Sequence, residues 1–299
     1  MILGVDIGGT TIKFGLVDEA GNIVKKYRID TPAAQGDIAI VEAIIAEIRK
    51  IREEYTLDRI GIGTPGTADY ETGVCIRASN LPYKNTPLVP MIEAAIGMKV
   101  HLFNDAACAV GAELYAGLGR EYKHILMITL GTGVGGGIII DGKMYHGQVG
   151  GAGEIGHMIV DQDGLLCRCG QRGCYEMYAS VTALIRQTKE AADDHPESVL
   201  AGLCEGGIDG ETVFRAKKAG CPVADAVLKQ YIQYIADGIT SLYRVLQPEV
   251  VVLGGAISDQ DELLLQPLRG AMIWPVTIVT SELKNDAGIL GAAMLAARA

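Results

Sequence analysis

The stretch I-L-G-V-D-I-G-G-T-T-I-K-F-G-L-V, residues 2–17, decides the fold. Its apolar runs, 2–7 and 12–17, have strand composition, and Gly8-Gly9-Thr10-Thr11 between them makes a β-hairpin turn, with a third strand expected over 23–29. A glycine turn with small hydroxyl residues leaves backbone N–H groups to face an anion, so D-I-G-G-T-T reads as a phosphate loop with Asp6 set to organise a metal ion or water. A lone turn of this kind could equally be a plain hairpin. The design recurs, however, in H-I-L-M-I-T-L-G-T-G-V-G-G-G-I-I-I-D-G-K-M-Y, residues 124–145, as apolar strand, Gly/Thr turn and apolar strand. Two lobes that clamp a nucleotide require such a pair. G-T-G-V-G-G has the glycines of a dinucleotide fingerprint, but the strand at 138–140 stands where that motif needs a helix, which argues against an oxidoreductase.

Working outward, Ile38, Val41, Ile44, Ile45, Ile48 and Ile51 follow a helical period, with Asp37 as a candidate cap. A buried strand over 60–63 runs into T-P-G-T and a hairpin turning at Thr72-Gly73, which brings the chain to S-N-L-P at 79–82. A short helix (88–96) and a strand (100–103) deliver Asn104 and Asp105 to a strand's carboxyl end, where ligands of α/β sheets gather. Asp105 there also suits a helix N-cap. Helices are expected over 177–192, 209–219 and 223–246. A buried strand over 249–253 then ends in Gly254-Gly255-Ala256, where bare backbone lets a flat ring approach. A helix (262–272), a strand (276–280) and a final helix opened by Asp286 complete the chain.

Between hairpin and helices lies G-G-A-G-E-I-G-H, from Gly150, followed ten residues on by C-R-C-G-Q-R-G-C-Y-E, ending at Glu176. His157, Cys167, Cys169 and Cys174 form a Cys3His set, the composition of a closed tetrahedral zinc site. Gly170 and Gly173 let the backbone reverse at the metal. The alternative is three buried or free cysteines near an ordinary core histidine.

E-x-G-H (Glu154, Gly156, His157) with C-x-C-G-x-x-G-C-x-E (Cys167 to Glu176) resembles the signature of the ROK family of bacterial sugar kinases and sugar-responsive repressors. The order of hairpin, second hairpin, strand-G-G-A and terminal helix is similar to the sugar kinase, heat-shock ATPase and actin superfamily. The resemblance implies a two-lobed α/β fold of duplicated RNase H-like domains with a structural zinc site. One lobe would be 1–118 plus 286–299 and the other 119–285, with sugar in the cleft between. It implies ATP-dependent phosphorylation of a free hexose, glucose at O6 first, with Asp105 as general base. N-acetylmannosamine, N-acetylglucosamine, fructose, allose or a β-glucoside are alternatives, because Tyr83-Lys84-Asn85 stands where many glucose-phosphorylating members carry Gly-Trp. Asn80, Asn104, Asp105, Glu154, His157 and Glu176 would bind sugar, His157 with one imidazole nitrogen on zinc and the other on a hydroxyl. ATP would be held by Asp6, Gly8, Gly9, Thr10, Thr11, Lys13, Gly131, Thr132, Gly133, Gly254, Gly255 and Ala256, bringing Mg²⁺ with it. A homodimer or homotetramer is the family expectation.

A net charge of −10 without a basic run argues against a nucleic-acid surface. The other four cysteines, Cys75, Cys108, Cys204 and Cys221, are scattered as in a reducing compartment rather than a disulfide framework. The sequence opens on a strand, with neither a signal-peptide pattern nor a long apolar span, so a cytoplasmic location and no membrane contact are expected. A ROK repressor would carry a helix-turn-helix before that strand, and a catalytically dead sugar sensor would not need Asp105 and both hairpins.

Overall fold

The computed structural model describes residues 1–299 except 79, 146, 149–151, 282, 284 and 285, and the side chain of residue 261. Ser79 and the Gly150-Gly151 pair of the sequence reading therefore lie outside the described residues. The chain divides into two units, Met1–Glu121 with Asn285–Ala299, and Tyr122–Lys284.

In the first unit, β1 (Ile2–Ile7) and β2 (Thr11–Val17) pair antiparallel, with Asp6 opposite Lys13 and Ile7 opposite Ile12. β3 (Ile23–Asp30) extends the hairpin at the sheet edge, where its residues alternate between half-buried and exposed. Then come α1 (Asp37–Glu54), β4 (Arg59–Thr64), the small hairpin β5 (Thr67–Asp69) and β6 (Val74–Arg77), α2 (Leu88–Ile96), β7 (Val100–Asn104) and α3 (Asp105–Ala116). α1 buries Val41, Ile44, Ile48 and Ile51 of the expected stripe, but Ile38 at its first turn is exposed and Ile45 half-buried, and Ile40 joins the core in their place. Asp37 is not its cap; it is the first helical residue, and its carboxylate accepts from the Thr86 hydroxyl at 2.5 Å. The sheet order is β3-β2-β1-β4-β7, with β1, β4 and β7 parallel.

The second unit repeats the plan. β8 (Ile125–Leu130) and β9 (Val134–Ile140) form the hairpin, and β10 (Lys143–Met144) lies at the edge. α4 (Glu176–Ala179), α5 (Val181–Asp194), α6 (Val199–Cys204), α7 (Thr212–Lys218) and α8 (Pro222–Leu246) lead to β11 (Val250–Gly254), α9 (Gln266–Ala271) and β12 (Thr277–Thr280). The order β10-β9-β8-β11-β12, with β8, β11 and β12 parallel, matches the first sheet strand for strand. The duplication read from the hairpins thus covers a whole five-stranded sheet.

Helix boundaries differ from expectation where side chains compete with the backbone. The helix expected over 177–192 is two, because Ser180 turns extended and its hydroxyl accepts from the Ala183 N–H at 3.0 Å, capping α5. The one expected over 209–219 begins only at Thr212, since Asp209 bonds the Glu211 N–H and the Thr212 hydroxyl. The one expected over 262–272 starts as a π-turn, Asp261–Leu265, ahead of α9.

The last helix, α10 (Ala287–Ala296), returns to the first unit and is buried along almost its whole length. It lies on strand backbone: a Cβ on Gly4 would fall 1.8 Å from the Ile289 carbonyl oxygen, and one on Gly61 2.0 Å from that of Ala292. Only glycine in β1 and β4 permits this approach.

Candidate active site and metal centre

β1, β4 and β7 are parallel, so Asp6, Thr64 and Asn104 share the carboxyl end of the first sheet, with Gly63 opposite Asp6 and Thr64 opposite Asn104. The Gly8-Gly9-Thr10 turn rises from the same end, closed by Gly8 N–H donating to the Thr11 carbonyl at 3.0 Å. Burial raises the Asp6 carboxyl above its ordinary value, and the Lys13 ammonium 3.8 Å away pulls it part of the way back. Gly288, at the start of α10, makes room for this carboxylate, since a Cβ there would fall 2.6 Å from its carbon. Asn80 stands against the turn, its carbonyl oxygen 3.2 Å and its side-chain nitrogen 3.4 Å from where a Gly9 Cβ would be.

At the end of β7 the cap of α3 is Asn104, not Asp105. Asn104 Oδ1 accepts from the N–H groups of Ala106 at 2.8 Å and Ala107 at 3.4 Å. Asp105 is the first helical residue and is exposed, with Oδ1 accepting from the Ala106 N–H at 2.8 Å. Beneath both acids lies Cys108, fully buried; burial first, then the charges of Asp6 and Asp105, hold its thiol well above the usual range. Tyr83 is buried as well, and its hydroxyl meets that of Thr64 at 3.2 Å.

In the second unit the turn Gly131-Thr132-Gly133 joins β8 to β9 and is closed by Gly131 N–H donating to the Gly133 carbonyl at 3.0 Å. Glu176 supports it: Oε2 accepts from the Val134 N–H at 3.2 Å and would meet a Gly133 Cβ at 2.1 Å. Because β11 lies beside β8, Gly254-Gly255-Ala256 stands next to this turn. Gly255, at φ 96°, approaches the Leu130 carbonyl so closely that a Cβ would fall 2.1 Å from its oxygen. The E-x-G-H segment leans on β9, where a Cβ on Gly156 would fall 2.2 Å from the Val134 carbonyl oxygen. Glu154 is exposed three residues before His157.

The four expected metal ligands converge. One ligand atom from each of His157, Cys167, Cys169 and Cys174 lies within 4.8 Å of every other. Cys169 Sγ and Cys174 Sγ are 3.5 Å apart, and Cys167 Sγ is 3.7 Å from His157 Nδ1. With Zn–S bonds of about 2.3 Å, a tetrahedral site has S···S edges of about 3.8 Å, so the donor set and its spacing both fit zinc. Gly170 (φ 95°) and Gly173 (φ 71°) make the reversals, and a Cβ on Gly173 would fall 1.5 Å from the Asp161 carbonyl oxygen. Burial pushes the Cys174 thiol up to about 12, while the backbone N–H of Gln171 lowers that of Cys169. Glu176 Oε1 lies 3.8 Å from Cys167 Sγ, so the centre borders the residue that supports the second turn.

The first unit therefore gathers Asp6, Gly8, Gly9, Thr10, Thr11, Lys13, Asn80, Asn104 and Asp105 about one sheet end. The second gathers the turn, Glu176, the metal ligands and the G-G-A corner. Cys108 and Gly288 were missed by the sequence reading, having no signal beyond small size in apolar helices. Two sheets of one topology, each ending in a Gly/Thr hairpin, with a Cys3His centre in the second, define the duplicated fold of the sugar kinases.

The chain belongs to the ROK family, whose sequence profile it matches over residues 2–299. A glucokinase of Streptomyces coelicolor is 38% identical over 99% of this chain and 97% of its own. An N-acetylmannosamine kinase of Vibrio cholerae is 33% identical over 97% of each. Among solved structures, a ROK family glucokinase from Streptomyces griseus in complex with glucose and AMPPNP superposes with a TM-score of 0.84 at 36% identity, over 100% of this chain and 99% of that one. Among the described residues, no helix is long and apolar enough to cross a membrane.

Proposed function

We propose that the protein is an ATP:hexose phosphotransferase that converts glucose to glucose 6-phosphate. The observation that carries this reading is full-length similarity to glucokinases, one of them solved with glucose and AMPPNP. Asp105, a solvent-exposed carboxylate at the carboxyl end of β7, supports it.

Phosphoryl transfer through a loose transition state asks mainly for positioning and charge stabilisation, with one group to take the attacking hydroxyl's proton. Asp105 takes that proton. Asn80, Asn104, Glu154, His157 and Glu176 bind the sugar hydroxyls with Asp105. The Asn104 oxygen is committed to the helix, so its amide nitrogen is the donor left for sugar. His157 turns Nδ1 toward Cys167, which leaves Nε2 for a hydroxyl and lets the metal fix the ring's aim. Four protein ligands leave zinc no open position, so its part is structural.

The turns at Gly8–Thr11 and Gly131–Gly133 hold the phosphates of ATP with Lys13, and Gly254-Gly255-Ala256 borders the adenosine. Asp6 would help hold the Mg²⁺ that comes with ATP, a cation that would supply charge neutralisation at the phosphates. The first unit, close to the expected 1–118 with 286–299, would be the catalytic lobe, and the second the lobe of zinc and adenosine. We further propose a homodimer or homotetramer in the cytoplasm.

N-acetylmannosamine is the second candidate sugar, favoured by the 33% identical kinases of that substrate. Sugar-dependent ADP release over a panel of hexoses and N-acetylhexosamines tests both, with glucose expected to give the highest kcat/KM. No release with any sugar, from folded zinc-loaded protein, would overturn the kinase reading.

A further inference from the structure

Two threonines outside the roles above hold the turns of the two hairpins in the same way. Thr31, just after β3, donates its hydroxyl to the Gly8 carbonyl at 2.7 Å and its N–H to the Thr10 carbonyl at 2.9 Å. Thr182, in the first turn of α5, donates its hydroxyl to the Thr132 carbonyl at 2.7 Å, and the N–H of its neighbour Val181 donates to the Gly131 carbonyl at 2.8 Å. Each turn thus gives two carbonyls to one threonine hydroxyl and one backbone N–H. The donors come from unrelated places, a strand end in one unit and a helix start in the other.

In a trans peptide the C=O and the N–H point in opposite directions, and the described residues contain no cis bond. Drawing the Gly131 and Thr132 carbonyls back onto α5 therefore turns the N–H groups of Thr132 and Gly133 away from it. In the first turn the same device aims the N–H groups of Gly9 and Thr11. We propose that Thr31 and Thr182 are positioning residues that orient these amides toward the phosphates of the nucleotide, an inference that rests on reading both turns as phosphate sites. Thr182 is exposed, so its value to the fold through burial is small and its hydroxyl bond is the part that counts.

Titration calorimetry of the full chain with AMPPNP alone, and separately with glucose, tests this on Thr182→Val, Thr182→Ser, Thr31→Val and Thr31→Ser. Loss of one neutral hydrogen bond from a preorganised anion site should raise the AMPPNP Kd about 5- to 10-fold in each valine variant. The glucose Kd should stay unchanged and the melting temperature should fall by no more than about 5 °C for Thr182→Val, and the serine variants should restore nucleotide affinity. Unchanged AMPPNP affinity in Thr182→Val, or a serine variant as weak as valine, would overturn the proposal. If Thr31→Val does not fold, the Thr182 pair decides alone. Wild-type protein that binds no AMPPNP would overturn the phosphate-site reading and this proposal with it, a failure visible before any variant is compared.

Discussion

Asp105→Asn separates chemistry from architecture at the end of β7. The cap of α3 stays in place, because it is Asn104 Oδ1 that accepts from Ala106 and Ala107. What the substitution removes from the fold is one carboxylate in the first helical turn, worth about 0.3–1 kcal/mol through the helix dipole. For units of this size that lowers the melting temperature by about 1–4 °C. The amide keeps an acceptor for sugar and gains donors, so sugar affinity should hold. It cannot take a proton, and kcat should fall about 10²–10⁴-fold or more. Asn104→Ala gives the complementary pattern, costing about 0.5–2 kcal/mol of stability through loss of the cap. The assay is coupled ADP release at saturating glucose and ATP, beside thermal melts of both variants. If Asp105→Asn keeps more than about a tenth of wild-type kcat, well above the loss expected for a general base, the base is another carboxylate, and Glu154 is examined first.

Cys169→Ser should empty the metal centre and weaken sugar binding more than nucleotide binding; metal analysis with glucose and AMPPNP titrations checks it, and undiminished glucose affinity in the metal-free variant would refute it. Asp6→Asn should melt above wild type at neutral pH, because a carboxylate held charged against burial is replaced by a neutral amide, while kinase activity drops. That gain should shrink as pH falls through the raised Asp6 value, since the native wild-type carboxyl then takes up a proton the unfolded chain does not yet bind; a gap that widens in acid would refute it. Gly133→Ala should drive Glu176 off the Val134 N–H, given the 2.1 Å clash, and raise the KM for ATP; an unaltered KM would show that the turn tolerates the displacement.

Local chemistry explains which parts of the fold could be read in advance. Gly/Thr turns between apolar strands announce hairpins within a dozen residues, and the metal ligands fall within eighteen, so both were legible. At β7 the sequence offered Asn104 and Asp105 side by side, two residue types that cap almost equally well, and only the backbone dihedrals of Asn104 decide between them. Ser180 broke an otherwise continuous helical pattern by competing for an N–H three residues on. The clamps at Thr31 and Thr182 act across 23 and 50 residues of sequence, where no periodicity links donor to acceptor.

The burial of α10 against glycine backbone orders events during synthesis. The second unit is continuous and can close as soon as its own residues have left the ribosome, whereas β1 and β4, packed on α1 on one face, and α3 lack the partner of the other face until the last helix, about 165 residues beyond the end of the unit's first segment, is made. At ~5–20 residues per second the amino-terminal sheet waits roughly 8–35 s with one face unfilled. The part of the enzyme translated first is therefore the part completed last, and a nascent chain halted before residue 287 would present that apolar face to chaperones.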